Sequence, residues 1–183
     1  MVVGPGGCGK SALLRAAVTS SQRRAHHGGG LALLADLPYL ALARALDDRP
    51  PRGRERVEAW VIEAVGSDLL VLDDAQWLDP PTLRLLPALA ARIAIALAVR
   101  EGDPAAATVL RALERMGAHR VALGLLCPED ALALARRLRP DAPVALAESV
   151  AARSHGDPLL LRAHLGLEDP ARLRLLLGAR MRR

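Results

Sequence analysis

Eight consecutive residues near the front of the chain, Gly4-Pro5-Gly6-Gly7-Cys8-Gly9-Lys10-Ser11, restrict its fold more than any other stretch. They have the form Gly-x-x-x-x-Gly-Lys-Ser, in which backbone N–H groups from about Gly7 to Ser11 converge on a β-phosphate, an approach that requires glycines without a Cβ. Lys10 is the only lysine among 25 Lys+Arg residues. An ammonium is a compact point charge suited to bridging β- and γ-phosphates, whereas a planar guanidinium fits that slot badly. Ser11 offers a hydroxyl to Mg2+, and the amphipathic run that follows, Ala12-Leu13-Leu14-Arg15-Ala16-Ala17-Val18, predicts a helix whose positive N-terminus faces the anion. The candidate nucleotide contacts of this loop are Gly4, Gly6, Gly7, Cys8, Gly9, Lys10, Ser11 and Ala12.

Composition narrows the remaining choices. A length of 183 residues suits one domain with a small appendage, and 51% hydrophobic residues supply a core. Aromatic residues make up only 2%, with no Phe, so that core is aliphatic and base-stacking platforms are not expected. The formal net charge is +5, but the arginines are interleaved with Asp and Glu along helical patterns and read as solvated faces. The densest basic stretch is the tail, with Arg172, Arg174, Arg180, Arg182 and Arg183. Two cysteines, Cys8 and Cys127, have neither metal-ligand nor disulfide-framework spacing, which points to a reducing compartment. With no apolar run of membrane-spanning length and no signal-peptide pattern, a cytoplasmic location without membrane contact is expected.

Only Met1-Val2-Val3 precede Gly4, fewer than the five or so residues of a usual buried parallel strand, so the first strand is expected to be truncated. A helix is predicted over residues 10–20, followed by a loop over 21–30 in which Gly28-Gly29-Gly30 oppose regular structure and His26 and His27 are solvated. A short segment over 31–34 and helices over 38–46 and 54–65 come next. Strand signals are sparse in this region, so a small sheet is expected.

The second strong feature is Asp68-Leu69-Leu70-Val71-Leu72-Asp73-Asp74, a continuous apolar run that reads as a strand buried on both faces and ending in two carboxylates. Ligands collect at such strand ends in parallel sheets. Asp73 is the candidate to hold Mg2+ together with Ser11. Asp74 is the candidate catalytic carboxylate that aligns the attacking water, because phosphoryl transfer is mainly positioning and charge neutralisation. A helix over 80–92 starts at Asp79-Pro80-Pro81, and a buried strand over 93–99 ends in Arg100, a candidate catalytic cation for the γ-phosphate. A helix over 104–116 and a short strand over 119–123 complete the sheet. Helices are then predicted over 129–138, 144–153, 158–165 and from Asp169-Pro170 toward Gly178.

These features together resemble the nucleotide-binding module of bacterial STAND-type ATPases, relatives of the AAA+ class, and especially that of large LuxR-type transcriptional regulators. The resemblance is carried by residues 4–11, by the block Leu70-Val71-Leu72-Asp73-Asp74-Ala75-Gln76-Trp77-Leu78-Asp79-Pro80, by the strand ending at Arg100, and by Gly156-Asp157-Pro158. It implies an α/β fold, a P-loop NTPase three-layer parallel sheet sandwich over 1–125, followed by a small helical lid over 126–183. It also implies ATP or ADP with Mg2+ as cofactors, adenosine-side contacts from Gly156 and Pro158, and a packing role for Trp77. The family's strand and Gly-Arg-x-Glu-like segment before the loop are absent from this sequence.

The function so implied is an ATP-binding, slowly hydrolysing switch of a signal-transducing or transcription-regulating protein, with self-association on ATP binding. DNA contact is expected only from domains outside this chain. A degenerate, non-hydrolysing nucleotide-binding or scaffold module and a DNA-associated AAA+ ATPase remain alternatives.

Overall fold

The computed structural model describes residues 1–167. Contacts divide the chain into two compact units: Met1–Gly4 with Lys10–Ala122, and Pro5–Gly9 with the residues from Leu123 onward.

In the first unit the order is β1 (Val2–Gly4), α1 (Lys10–Ser21), β2 (Ala25–Gly29), α2 (Leu40–Leu46), α3 (Arg54–Val65), β3 (Leu69–Asp73), α4 (Pro80–Ala90), β4 (Ala94–Arg100), α5 (Ala106–Arg115) and β5 (Val121–Ala122). The five strands form one parallel sheet in the order β2-β3-β4-β1-β5. Short 3-10 turns follow β2 at Ala32–Leu34 and β3 at Ala75–Trp77.

Strand alternation sorts the side chains into two faces. Val3, Leu70, Leu72, Leu97 and Val99 join a core cluster with residues of α2, α3, α4 and α5. The alternate residue Val71 faces the other way and shares a cavity lining with Ser11 and Leu14 of α1. The register agrees, since Val3 pairs with Val99 and Leu72 with Leu97 on one face, while Val2 pairs with Ala98 and Val71 with Ala96 on the other. The sheet is therefore the middle of three layers, as a parallel sheet with crossover helices requires.

The strand β2 corrects the expected loop over 21–30. Residues Ala25 to Gly29 pair in parallel with Leu69 to Asp73, and His26, expected in solvent, has its Nε2 3.1 Å from Asp68 Oδ2. The glycines serve close packing rather than disorder. A Cβ on Gly28 would stand 2.1 Å from the Ala41 carbonyl oxygen, and one on Gly30 would stand 2.4 Å from the Trp77 backbone. The sheet thus has an edge strand built on backbone approach instead of apolar side chains.

A second correction concerns α2, which begins at Leu40 and not at Pro38. Tyr39 is left-handed at φ 60°, and its N–H donates to Asp79 Oδ1 at 3.0 Å, which holds the chain out of the helix there.

In the second unit, α6 (Pro128–Leu138), α7 (Val144–Arg153) and α8 (Pro158–His164) surround a small core. At the start of α6 the Glu129 carboxyl is held below its usual pKa by a hydrogen bond from its own backbone N–H, assisted by the Cys127 side chain. The helix expected from Asp169 and the arginine tail lie outside the described residues.

Candidate functional site

Lys10 is the first residue of α1 and is buried at 8% exposure. Its Nζ donates to the Gly4 carbonyl oxygen at 3.0 Å, and that same oxygen accepts the Glu101 N–H at 2.9 Å. A cation opening a helix has the wrong sign for the macrodipole, and the first turn of α1 contains no acid. An anion at this end reconciles both features, because it meets the helix N-terminus and the lysine together.

Strand parity carries Asp73 to the face where α1 lies, since it follows Val71 by two residues. Ser11 and Asp73 line the same cavity of about 270 Å3, together with Leu14, Arg15, His27, Gly28 and Val71. A hydroxyl and one carboxylate suit a hard cation that keeps waters and phosphate oxygens for its remaining positions, as Mg2+ does. Among the described residues no group of three or more His, Cys, Asp and Glu side chains forms an all-protein metal cage. The donor set therefore fits Mg2+ bound jointly with a phosphate group.

The carboxylates at the end of β3 are fixed differently. Asp73 Oδ1 accepts the Asp74 N–H at 2.9 Å, while Asp74 itself is left-handed at φ 47°, a conformation Asp tolerates better than most residues. Asp74 Oδ1 accepts from Gln76 Nε2 at 2.8 Å. Gln76 Oε1 in turn accepts the Arg100 N–H at 2.9 Å. Because β4 separates β1 from β3, and Gly4 pairs with Arg100, the Arg100 end lies between the strand leading into the phosphate loop and the acidic pair.

The third acid of the block has a structural task. Asp79 is buried at 2% exposure and caps α4, accepting the Thr82 N–H at 2.8 Å through Oδ1 and the Thr82 hydroxyl at 2.7 Å through Oδ2. Trp77 has its backbone against Gly30 and tethers this turn to the end of β2.

The loop residues Pro5–Gly9 group with the second unit. Gly7 and Gly9 adopt φ 85° and 101°, and Cys8 is buried. A Cβ on Gly7 would stand 3.1 Å from both Asp157 Oδ1 and Leu159 Cβ, so the loop packs against the start of α8 within that unit. Gly156, at φ 75°, leaves no room for a side chain, because a Cβ would stand 2.2 Å from the Leu126 carbonyl oxygen. Its own carbonyl accepts the Leu126 N–H at 2.7 Å. Pro158 opens α8, with Asp157 as the capping residue.

Of the residues named from sequence, Ser11 and Asp73 share a cavity, and Asp74 and Arg100 are joined through Gln76. Ala12 follows in the first turn of α1. Gln76 was not singled out from the sequence. Its signal was a lone amide between Ala75 and Trp77 in an otherwise apolar turn.

No protein-family model and no curated protein matches the sequence. Solved structures do. A RuvB variant from Thermotoga maritima aligns with a TM-score of 0.61 at 21% identity, over 87% of this chain and 50% of that one. Cdc6p from Pyrobaculum aerophilum aligns with a TM-score of 0.62 at 19% identity, over 97% and 55%. A Signal Transduction ATPase with Numerous Domains from Pyrococcus horikoshii, which has a tetratricopeptide repeat sensor, aligns with a TM-score of 0.51 at 18% identity, over 97% and 29%. The chain spans about half the length of the first two and under a third of the last. Among the described residues no helix is long and apolar enough to cross a membrane. The chain has an α/β fold, a five-stranded parallel sheet with helices on both faces, and it shares this P-loop NTPase fold with these structures.

Proposed function

We propose that the chain is an ATP-binding switch module that hydrolyses ATP slowly, in a signal-transducing or transcription-regulating protein of the large LuxR type. The observation that carries this reading is the shared cavity of Ser11 and Asp73 at the end of the helix that begins with buried Lys10. Lys10 and the backbone N–H groups of the loop, from Gly4, Gly6, Gly7, Cys8 and Gly9 to Ala12, bind the phosphates. Ser11 and Asp73 hold Mg2+. The ion supplies charge neutralisation at the transferring phosphoryl group.

Asp74 accepts a hydrogen bond from the attacking water and orients it, and Arg100 adds positive charge on the γ-phosphate side. Gly156 and Pro158 serve the adenosine side, with residues 126–183 acting as a lid. A switch requires ATP and ADP to differ in affinity for two conformations, and self-association with ATP is the expected output. The module works in the cytoplasm, and DNA contact falls to other domains.

The test is titration of the 183-residue chain with a fluorescent ATP analogue, with and without Mg2+, beside Lys10→Ala. Micromolar binding that is lost in the variant is the expected result, and equal affinity in both overturns the reading. Phosphate release sensitive to Asp74→Asn separates a hydrolysing switch from a module that binds without turnover.

A further inference from the structure

Gln76 is 3% exposed, and burying a primary amide is costly unless both of its ends are bonded. Both ends are. The Arg100 backbone N–H has only a proton to give, so the group it meets at 2.9 Å is the oxygen, Oε1. That contact fixes the amide's orientation without reference to its other end. Nε2 must then point away from β4, and it donates to Asp74 Oδ1 at 2.8 Å. The carboxylate is left with Oδ2 for a water.

The bridge joins two points that the sheet holds in register. Arg100 is level with Gly4, whose carbonyl accepts from Lys10 Nζ and from Glu101 N–H, so the backbone beside the phosphate-loop lysine is tied to the end of β4. From there the amide of Gln76 reaches across to the acidic pair at the end of β3. Asp74 is held at its backbone by a left-handed conformation and by its N–H on Asp73 Oδ1, and at its side chain by this amide.

We propose that Gln76 is a positioning residue for phosphoryl transfer, its amide fixing the rotamer of Asp74 against the end of β4. The inference rests on the hydrolytic role given to Asp74 above. Gln76 does not touch substrate; it acts through the carboxylate. Gln76→Glu keeps the shape and the acceptor for Arg100 N–H but sets a carboxylate against Asp74 in place of the donor, so it removes the bond and adds a like charge. Gln76→Leu, which removes the donor without adding charge, is measured beside it and must lower kcat as well.

In the full chain, Gln76→Glu is expected to lower kcat at least about tenfold while KM and the ATP dissociation constant stay within about twofold. In a double-mutant cycle, Gln76→Glu added to Asp74→Asn is expected to cost almost nothing further, because the group being positioned is gone. A general structural role would instead lower kcat and affinity together and would add to Asp74→Asn. Unchanged kcat in Gln76→Glu, with wild-type hydrolysis abolished by Asp74→Asn, overturns this inference and leaves the proposed function standing.

A readout free of turnover covers the case in which the chain binds ATP without hydrolysing it. In a 15N spectrum, the Gln76 side-chain amide resonance is expected to move in Asp74→Ala, and the Arg100 amide resonance in Gln76→Leu. If neither moves, the bridge does not exist in solution and the inference fails. Loss of nucleotide binding by the wild-type chain is a different result, and it strikes the proposed function itself.

Discussion

The cores of the two units are made of different material. In the first, Leu42, Leu70, Leu72, Leu85, Leu86, Leu89 and Leu113 are buried at 1% exposure or less, and the cluster continues through valines and an isoleucine. In the second, among the described residues, four of the seven members of the hydrophobic cluster, Ala131, Ala135, Ala147 and Ala151, are alanines. A buried leucine removes several times more apolar area from water than a buried alanine, at roughly 25 cal/mol per Å2. The first core is thus held by large side chains on a sheet, and the second by helices brought close through small ones. Local opening should cost less in the second, which is where a binding protein draws its moving parts.

Equal truncations in the two cores break or sharpen this comparison most strongly. Leu72→Ala, fully buried in β3, is expected to destabilise the first unit by about 4 kcal/mol, since its surroundings on a packed sheet collapse little. Leu161→Ala, equally buried in α8, is expected to cost about 2 kcal/mol, the low end for such changes. Denaturant unfolding reads the first, and hydrogen exchange of amides in residues 123–167 reads the second. Equal losses would mean that the alanine-rich core is no weaker than the leucine-rich one. Gly156→Ala should fall between them at about 3 kcal/mol, from a left-handed backbone and a Cβ 2.2 Å from a carbonyl oxygen. Its effect should be confined to exchange in the second unit.

Much of this was legible from residues, for physical reasons that can be stated. The strand β3 announced itself because a strand buried on both faces must be apolar throughout, and its two terminal acids stand out against that run. Helices α3 and α7 have the expected limits because Gly53 and Gly66 bracket one and Pro143 precedes the other. The strand β2 was hidden because Ala25, His26, His27, Gly28 and Gly29 show no apolar alternation; their stability comes from the neighbouring backbone and from Asp68. Tyr39 was hidden too, since the acceptor of its N–H is 40 residues away at Asp79. In the site, residue types revealed which chemistry was present. They placed Asp79 at the start of a helix, where it is the cap, but did not reveal that Gln76 connects Asp74 to Arg100, because that depends on strand order.

A smaller change probes the alanine core directly. Ala135→Gly removes one fully buried methyl group and loosens α6, for a combined cost of about 2 kcal/mol. The same substitution at an exposed helical alanine such as Ala107 of α5 should cost only about 1 kcal/mol, the backbone share alone. If the two costs are equal, the methyl groups of the second core contribute nothing and its stability lies elsewhere.

The smallest expected effect separates architecture from chemistry within the first unit. Asp79→Asn keeps a carbonyl oxygen for the Thr82 and Tyr39 N–H groups, and the Thr82 hydroxyl can turn to accept from the new amide. Asn caps helices about as well as Asp, so the loss should be under about 1 kcal/mol by thermal or denaturant unfolding. Phosphate release should be nearly unchanged. Asp74→Asn, five residues earlier, should show the reverse pattern, with near-normal stability and little turnover. If Asp79→Asn instead silences turnover while leaving stability intact, Asp79 is not merely the cap of α4, and the acid assigned to the water must be reconsidered. If both variants lose stability alike, the turn from Asp73 to Asp79 behaves as one structural piece, and the division of labour among its three acids fails.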